Sequence, residues 1–189
     1  MPTRRAETSR ESRQLLIKSA TGLFAERGFR RTTLADIADH CGISRGSIPW
    51  HFGNKEGLLQ AVIDDMMKTT LGSEAPRPHS LDEAVPWVAD FIRRPGTRLL
   101  ITLIAEAVEP QSPVHDFYAD VHRALREWAS QLTAGLTPPP GVSHADLDTV
   151  IIGALIGLHQ QWRVDPTAID IDRSLTALKT LLRANEANE

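Results

Sequence analysis

Small and polar side chains dominate a stretch of fourteen residues near the amino terminus, from Gly42 to Lys55. Arg45 and Ser47 are the residues there that could do chemistry, and Ile48 is the only evident apolar anchor beside them. Arginine can pair with O6 and N7 of guanine through two hydrogen bonds, and serine can bond to base edges. A short helix that buries so little is poor core material. We therefore predict that its outer face enters a DNA major groove, with Arg45 and Ser47 at the bases.

Helix signals on both sides position this stretch. Thr33 and Asp36 have the spacing of a capping box, which marks the start of a helix. Gly42 is the expected stop of that helix, and Ser44 is the expected cap of the next one. Two helices joined by a short turn predict a helix-turn-helix. The alternative is a plain helical hairpin inside a bundle.

The remainder of the chain also has the pattern of helices. Periodicity and caps predict nine helices and no convincing strand, so the expected fold class is all-α. After the predicted linker SEAPRPHS, helices are expected from the Ser80 capping box, over 97–109, and from Ser112 to about 132. Ser143 is expected to open a helix to about 164, and Asp170 or Asp172 to open the last.

Charge and composition limit the possible classes. The net charge is −3, yet residues 1–56 hold ten basic and six acidic side chains, so only this part is expected to meet a polyanion. The single cysteine excludes an intramolecular disulfide framework and a cysteine-based zinc site. No apolar run reaches the roughly 18 residues of a membrane span, and no signal peptide is recognisable. We expect a cytoplasmic protein without cofactor or metal.

The sequence from Leu15 to Val62 resembles the DNA-binding region of TetR-family transcriptional regulators. That family has LF-A-x-x-G-F, then T-T-x-x-x-I-A, then G-x-S-x-G, an aromatic residue, H-F and K-x-x-L. In this sequence the matching residues are Leu23, Phe24, Ala25, Gly28, Phe29, Thr32, Thr33, Ile37, Ala38, Gly42, Ser44, Gly46, His51, Phe52, Lys55 and Leu58. The resemblance implies an N-terminal three-helix DNA-binding domain and a C-terminal helical ligand-binding and dimerisation domain. We place them at 1–56 and 57–189, linked by a fourth helix that starts at 55.

The resemblance and the side-chain chemistry together imply a set of DNA contacts on a palindromic operator. The backbone N–H and hydroxyl of Thr33 suit a phosphate at a helix N-terminus, and Lys55 suits a backbone clamp. The predicted DNA-binding residues are Thr33, Ser44, Arg45, Gly46, Ser47, Trp50, His51 and Lys55.

Pro49 departs from the family pattern, which usually has a tyrosine there that commonly touches a phosphate. Proline cannot donate a hydrogen bond and costs roughly 3 kcal/mol in a regular helix interior. The reading helix is therefore expected to be short, or to become a 3₁₀ turn by Ile48. We expect Trp50 or His51 to take over the phosphate contact. The alternative is that Trp50 packs against the first helix.

One short helix reads DNA weakly, and two copies about 34 Å apart would solve this. The helix after Ser143 contains GALIG and is apolar nearly all round, so both of its sides must be covered. Together with the last helix it predicts a four-helix dimer interface. The alternative is that this helix is only the centre of a monomeric core. The predicted interface residues are Ile152, Gly153, Ile156, Gly157, Leu175, Leu178 and Leu182.

By the same resemblance, the second domain is expected to enclose a small-molecule pocket. An apolar or aromatic ligand is expected, since such pockets are mostly apolar with a few polar anchors. Each candidate could instead serve the core or the dimer. The candidates are Trp87, Phe91, Glu106, Phe117, Tyr118, His122, Trp128 and His159.

No catalytic constellation is recognisable, so an enzyme is not expected. A metal site at His115 and His122 is possible from their spacing, but solvated histidines are the favoured interpretation. The predicted function is a dimeric, ligand-responsive DNA-binding regulator that acts as a repressor. The alternatives are a helix-turn-helix regulator or assembly partner without a small-molecule inducer, and a small helical enzyme.

Overall fold

The computed structural model describes residues 4–71 and 78–184, with side chains from residue 8 to 70 and from 78 onward. Every regular element in these ranges is helical, as predicted. Most of the predicted linker falls in residues 72–77, outside the described residues. The α-helices are α1 Arg4–Arg27, α2 Leu34–Cys41, α3 Ser47–Phe52, α4 Lys55–Leu71, α5 Leu81–Arg93, α6 Arg98–Thr102, α7 Ile104–Ala107, α8 His115–Thr133, α9 His144–Val164 and α10 Ile171–Arg183.

The described residues pack as two compact units. The first combines residues up to 71 with 95–117, and the second combines 78–94 with 118–184. These units do not divide at the predicted domain boundary after residue 56, which stays a prediction.

The first unit is built around α1, which packs against α2 and α4. Leu16, Ala20 and Phe24 on α1 are fully buried, as expected from their helical spacing. The Phe24 ring meets the Phe29 ring edge-on at 5.3 Å between centroids. The buried Thr32 hydroxyl lies 2.9 Å from the Gly28 carbonyl oxygen. These contacts fix the corner between α1 and α2.

Several helix ends lie where their capping residues predicted. Thr33 and Asp36 form a complete capping box at the start of α2. Gly42 ends α2 in the left-handed region at φ 68°, which a glycine adopts without steric cost. Ser143 caps α9, and of the two candidates for α10 it is Asp170 that caps the helix.

The start of α3 corrects the prediction, because Ser44 does not cap this helix. Regular pairing begins at Ser47, after a turn in which the Ser47 N–H donates to the Ser44 carbonyl at 3.0 Å. Pro49 explains the delay, since its nitrogen cannot donate to the Arg45 carbonyl. Pro49 lies in the first turn of α3, where backbone N–H groups lack intrahelical partners anyway. The helix is short as predicted, but it continues past Pro49 to Phe52.

The helix predicted over 97–109 is present as two short consecutive helices, α6 and α7, preceded by a 3₁₀ turn at Pro95–Thr97. Counted as one segment, this pair brings the described residues to the nine predicted helices. The helix predicted from Ser112 begins at His115 and ends at Thr133. At the start of α5, the Ser80 hydroxyl accepts from the Glu83 N–H as in a capping box. The Glu83 carboxylate, however, accepts from the N–H of His79 at 2.9 Å, one residue before the cap.

In the second unit α10 packs against α5 and α9. The Asp82 carboxylate near the start of α5 accepts hydrogen bonds from Lys179 and Arg183, each at 2.8 Å. Arg163 on α9 donates to the carbonyl oxygens of Ile92 and Arg94, at 2.7 and 2.6 Å. Polar contacts thus join α5 to both C-terminal helices.

Candidate nucleic-acid interface

The turn between α2 and α3, together with α3 itself, carries six of the eight predicted DNA-binding residues. Ile48 is the one buried residue of α3, at 0% exposure. Ser44, Arg45, Gly46 and Trp50 are exposed, while Ser47 and His51 are half-buried. Ile48 is therefore the one fully buried anchor of the helix, and the exposed side chains beside it are available to a ligand.

Arg45 has a partner that the sequence analysis missed. Its guanidinium lies 3.0 Å from the Asp39 carboxylate on α2, and both side chains are about two-thirds exposed. An exposed pair of this kind contributes little to stability. Its effect is to orient the guanidinium. The signal available in the sequence was an outward acidic residue in the last turn of α2, six positions before Arg45.

Thr33 uses the groups that were predicted to meet a phosphate. Its N–H and its hydroxyl both donate to the same Asp36 carboxylate oxygen, each at 2.7 Å. These bonds lower the pKa of Asp36, the side-chain bond contributing most. A phosphate at this helix N-terminus would have to share the donors with Asp36.

Trp50 is 72% exposed, so the alternative that it packs against the first helix is wrong. Its ring lies edge-on to the His51 ring, with 4.4 Å between centroids. Burial, and secondarily the nearby Arg13 guanidinium, lowers the pKa of His51. The lowered pKa favours the neutral imidazole, and either ring could offer an N–H to a phosphate without adding charge.

Lys55 begins α4 and folds back onto the corner after α1. Its ammonium group lies 4.4 Å from the centre of the Phe29 ring and donates to the Arg30 carbonyl oxygen at 3.4 Å. Partial burial lowers the pKa of Lys55, against the influence of Glu56 and Glu106. The predicted phosphate clamp stays a prediction, and it would require the ammonium to leave or share these contacts.

Comparison with known proteins bears on this geometry. Residues 16–62 match the family model described as bacterial regulatory proteins, tetR family. The Pseudomonas putida protein named "Uncharacterized HTH-type transcriptional regulator TtgW" is 30% identical over 113 residues, covering 59% of this chain and 75% of that protein. The chain belongs to the TetR family.

Two further relatives differ in how much of this TetR-family chain they match. TtgR of Pseudomonas putida, named an HTH-type transcriptional regulator, is 46% identical over 69 residues. That match covers 36% of this chain, which thus spans only a third of TtgR. The Escherichia coli protein named "Probable acrEF/envCD operon repressor" is 28% identical and covers 89% of this chain and 83% of its own length. All three are named as regulators, in agreement with the prediction that this chain is not an enzyme.

Solved TetR-family structures share the fold. A TetR transcriptional regulator from Chloroflexus aurantiacus superposes with a TM-score of 0.72 at 22% identity, covering 94% of this chain and 97% of that one. NalD of Pseudomonas aeruginosa gives a TM-score of 0.67 at 23% identity, covering 93% and 95%. The predicted all-α architecture is confirmed.

The predicted ligand-binding residues of this TetR-family chain fall in both units. Trp87 stacks on Phe91 at 6.2 Å and on the buried Trp128 at 5.3 Å between centroids. Tyr118 lies beside His122, at 5.1 Å between ring centroids. Burial lowers the pKa of His122 and raises that of Tyr118.

The three remaining ligand candidates, Glu106, Phe117 and His159, lie outside these two groups of aromatic rings. Glu106 and Phe117 belong to the first unit, where the Glu106 carboxylate lies 3.5 Å from Arg30. His159 is buried in the second unit, and desolvation, with Arg163 nearby, lowers its pKa to about 4. A pocket shared by all eight candidates stays a prediction.

An apolar cavity in the second unit contains only Trp128 of the predicted ligand residues. Its volume of about 40 Å³ is far below the ~300 Å³ or more of ordinary ligand pockets. Leu175, Leu178 and Leu182 line this cavity, so all three contribute to the interior of one chain.

The predicted dimer residues divide between core and surface. Ile152 and Leu175 are buried within one chain, so the structure assigns them to its own core and corrects their place in an interface. Gly153 is exposed, while Ile156, Gly157, Leu178 and Leu182 are half-buried. A Cβ atom added at either glycine would meet nothing within 4 Å. The exposed large apolar side chains on α9 and α10 are Val150, Val164 and Leu181.

No described helix has the length and apolar character that crossing a bilayer requires. No cluster of three or more His, Cys, Asp or Glu suited to a metal ion occurs in residues 4–71 and 78–184. His115, considered above with His122, has its Nδ1 atom 2.8 Å from the Ala107 carbonyl oxygen.

Proposed function

We propose that this chain is a transcriptional repressor that binds a palindromic operator as a homodimer and releases it when a small, largely apolar molecule binds. The observation that carries the proposal is the exposed surface of α3 and of the turn that precedes it. One side chain, Ile48, anchors the helix, while Arg45 and Trp50 face solvent. A helix built in this way suits a major groove about 12 Å wide.

The names of the relatives support a role in regulation, and one of them favours repression over activation. The Escherichia coli relative that matches most of this chain is named an operon repressor. A repressor acts by occupying DNA that a polymerase needs, so the chain itself requires no catalytic group. This agrees with the absence of a recognisable reactive motif in the sequence.

Response to an effector requires unequal binding. A ligand shifts DNA affinity only if it binds the DNA-competent and incompetent states with different free energies. Helix α4 is the proposed lever, since it packs against α1 and α3 and carries the chain out of the reading head. The large second unit exceeds what DNA reading needs, and we assign the effector site to it.

DNA binding is tested by gel shift on the duplex upstream of the protein's own gene. Specific binding should be tighter than binding to an unrelated duplex of equal length, and it should weaken as salt rises, because phosphate contacts release counterions. The Arg45→Ala variant should lose discrimination, while Arg123→Ala on α8 serves as the matched control. Equal affinity of the wild-type protein for every duplex at low salt contradicts the proposal.

The effector is tested separately by thermal shift across a panel of apolar compounds. A compound that binds the folded state raises the melting temperature by an amount that grows with the logarithm of its concentration once that exceeds Kd. The same compound should then weaken operator binding. Specific DNA binding without a response to any compound would favour the alternative of a helix-turn-helix regulator that has no inducer.

A further inference from the structure

A second cavity lies within the first unit, where the end of α1 and the loop after it face α6 and α7. Its volume of about 350 Å³ falls in the range of pockets that hold small molecules. We call it the arginine cleft. It is lined by Phe24, Arg27, Gly28, Phe29, Arg30, Arg31, Arg98, Thr102, Leu103, Ala105 and Glu106.

The charges around the arginine cleft are strongly unbalanced. Four arginines face a single carboxylate, that of Glu106, which leaves an excess of three positive charges. Glu106 is 22% exposed and lies 3.5 Å from Arg30, which is itself 82% exposed. Among the described residues, the carboxylate paired with Arg27 is that of the exposed Glu26, at 3.8 Å. Four arginine residues thus line the cleft together with only one acidic residue.

The arginines differ in how far they are already engaged. Arg31 donates from Nε to the Arg27 carbonyl oxygen at 2.9 Å, which caps the end of α1 and leaves its terminal nitrogens available. Arg98 is exposed, and within residues 4–71 and 78–184 no carboxylate pairs with it. Arg98 is therefore the donor most ready to receive an anion.

Apolar walls make the cleft more favourable for an ion than an open surface would be. Phe24, Phe29 and Leu103 are buried side chains that line it. Apolar walls lower the local dielectric constant, and charge-assisted hydrogen bonds are stronger there than in water. Guanidinium groups also match the geometry of oxyanions through paired N–H donors.

We propose that the arginine cleft binds a small phosphate-bearing molecule. A phosphate monoester carries about −1.5 to −2 charges at pH 7 and three acceptor oxygens, which suits several arginines better than a carboxylate does. The site is separate from the effector site assigned to the second unit. It needs no DNA, so it stands or falls independently of the proposed function.

The test uses the full-length protein without DNA and inorganic pyrophosphate as the probe. Pyrophosphate should raise the melting temperature more than potassium chloride does at equal ionic strength. In calorimetric titration, Arg98→Ala should weaken pyrophosphate binding about tenfold, the loss expected for one charge-assisted contact. Glu106→Gln should tighten binding, because it removes the one anion in the cleft.

Two controls separate a built site from general surface charge. Arg123→Ala removes an exposed arginine of the second unit and should leave pyrophosphate binding unchanged. Arg98→Lys keeps the charge but loses the guanidinium, so it should recover only part of the affinity. An equal response of the Arg98 and Arg123 variants overturns the proposal. A loss of DNA affinity in Arg98→Ala, with no effect of pyrophosphate on the wild type, also overturns it and assigns the arginines to the DNA backbone.

Discussion

At the scale of single residues, the pair of Asp39 and Arg45 connects the structure to sequence reading. The carboxylate holds the guanidinium at 3.0 Å on the surface that we propose meets DNA. Asp39→Asn removes this orienting contact and one negative charge. We expect affinity for unrelated duplex to rise and preference for the operator to fall, by up to about tenfold for a guanine contact. The ratio of the two dissociation constants at fixed salt measures this.

The matched control is Asp120→Asn. Asp120 also forms an exposed pair with an arginine, Arg123, at 2.6 Å, but on α8. Both variants should melt within about 0.5 kcal/mol of the wild type, as surface changes usually do. An unchanged preference in Asp39→Asn would show that Arg45 orients without Asp39.

Trp50 supplies a second prediction at the residue scale. The ring is 72% exposed, so Trp50→Phe should leave the melting temperature unchanged. If the indole N–H donates to a phosphate, this variant should bind the operator about tenfold more weakly, since a bond to a charged group contributes about 1.5 kcal/mol or more. Gel shift at constant salt is the measurement. Full affinity in Trp50→Phe would leave His51 as the candidate for that contact.

At the scale of helices, caps were predictable from sequence because they depend on few neighbouring residues. Thr33, Gly42 and Ser143 each form the terminus that their type predicts. The start of α3 could not be predicted in this way, because Ser44 favours a helix start that Pro49, five residues later, does not allow. A cap signal states that a helix can start, whereas a missing N–H five residues later decides where regular pairing starts.

The contact of α5 with α10 gives a prediction about pH. Hydrogen bonds from Arg183 and Lys179 lower the pKa of Asp82 to about 2. A carboxyl with a depressed folded-state pKa stabilises the fold above its unfolded value, near 4, and this contribution is lost as pH falls toward the folded value. The unfolding free energies of wild type and Asp82→Asn should therefore differ at pH 7 and converge between about pH 4 and 2.

Urea unfolding at a series of pH values measures this difference. Asp90→Asn on the same helix is the control, because its nearest arginine nitrogen lies at 4.0 Å. A difference between wild type and Asp82→Asn that stays constant down to pH 3 would contradict a role of the ionised carboxylate.

At the scale of the whole molecule, the helix face on which a residue lies could be predicted from the sequence better than the partner that this face contacts. The rings of Trp87, Phe91 and Trp128 do come together, but their role as ligand contacts stays a prediction. Glu106 belongs to the other unit and faces Arg30. Helical periodicity fixes the face on which a residue lies, but the partner of that face depends on how distant segments pack. The arginine cleft went unnoticed for this reason, since Arg98 is far in sequence from Arg27.

The dimer is a prediction about the whole molecule, and Gly153 offers a direct test. An added side chain at this exposed glycine meets nothing within 4 Å in one chain, and replacing a helical glycine is not itself costly. Gly153→Glu should therefore keep the helical circular-dichroism spectrum of the wild type. In the proposed dimer the same carboxylate would be buried against its copy, without a partner for its charge. We expect the mass from light scattering to fall from dimer to monomer.

If Gly153→Glu is monomeric, its operator affinity should also fall. Two reading helices on one palindrome act together only when the subunits are joined. Ala119→Glu adds the same charge at an exposed position of α8 and should remain dimeric and bind DNA normally. A monomeric wild type would contradict the dimer itself. A dimeric Gly153→Glu with full affinity would instead move the interface away from this face of α9, and the exposed Val150 and Val164 would then need another explanation.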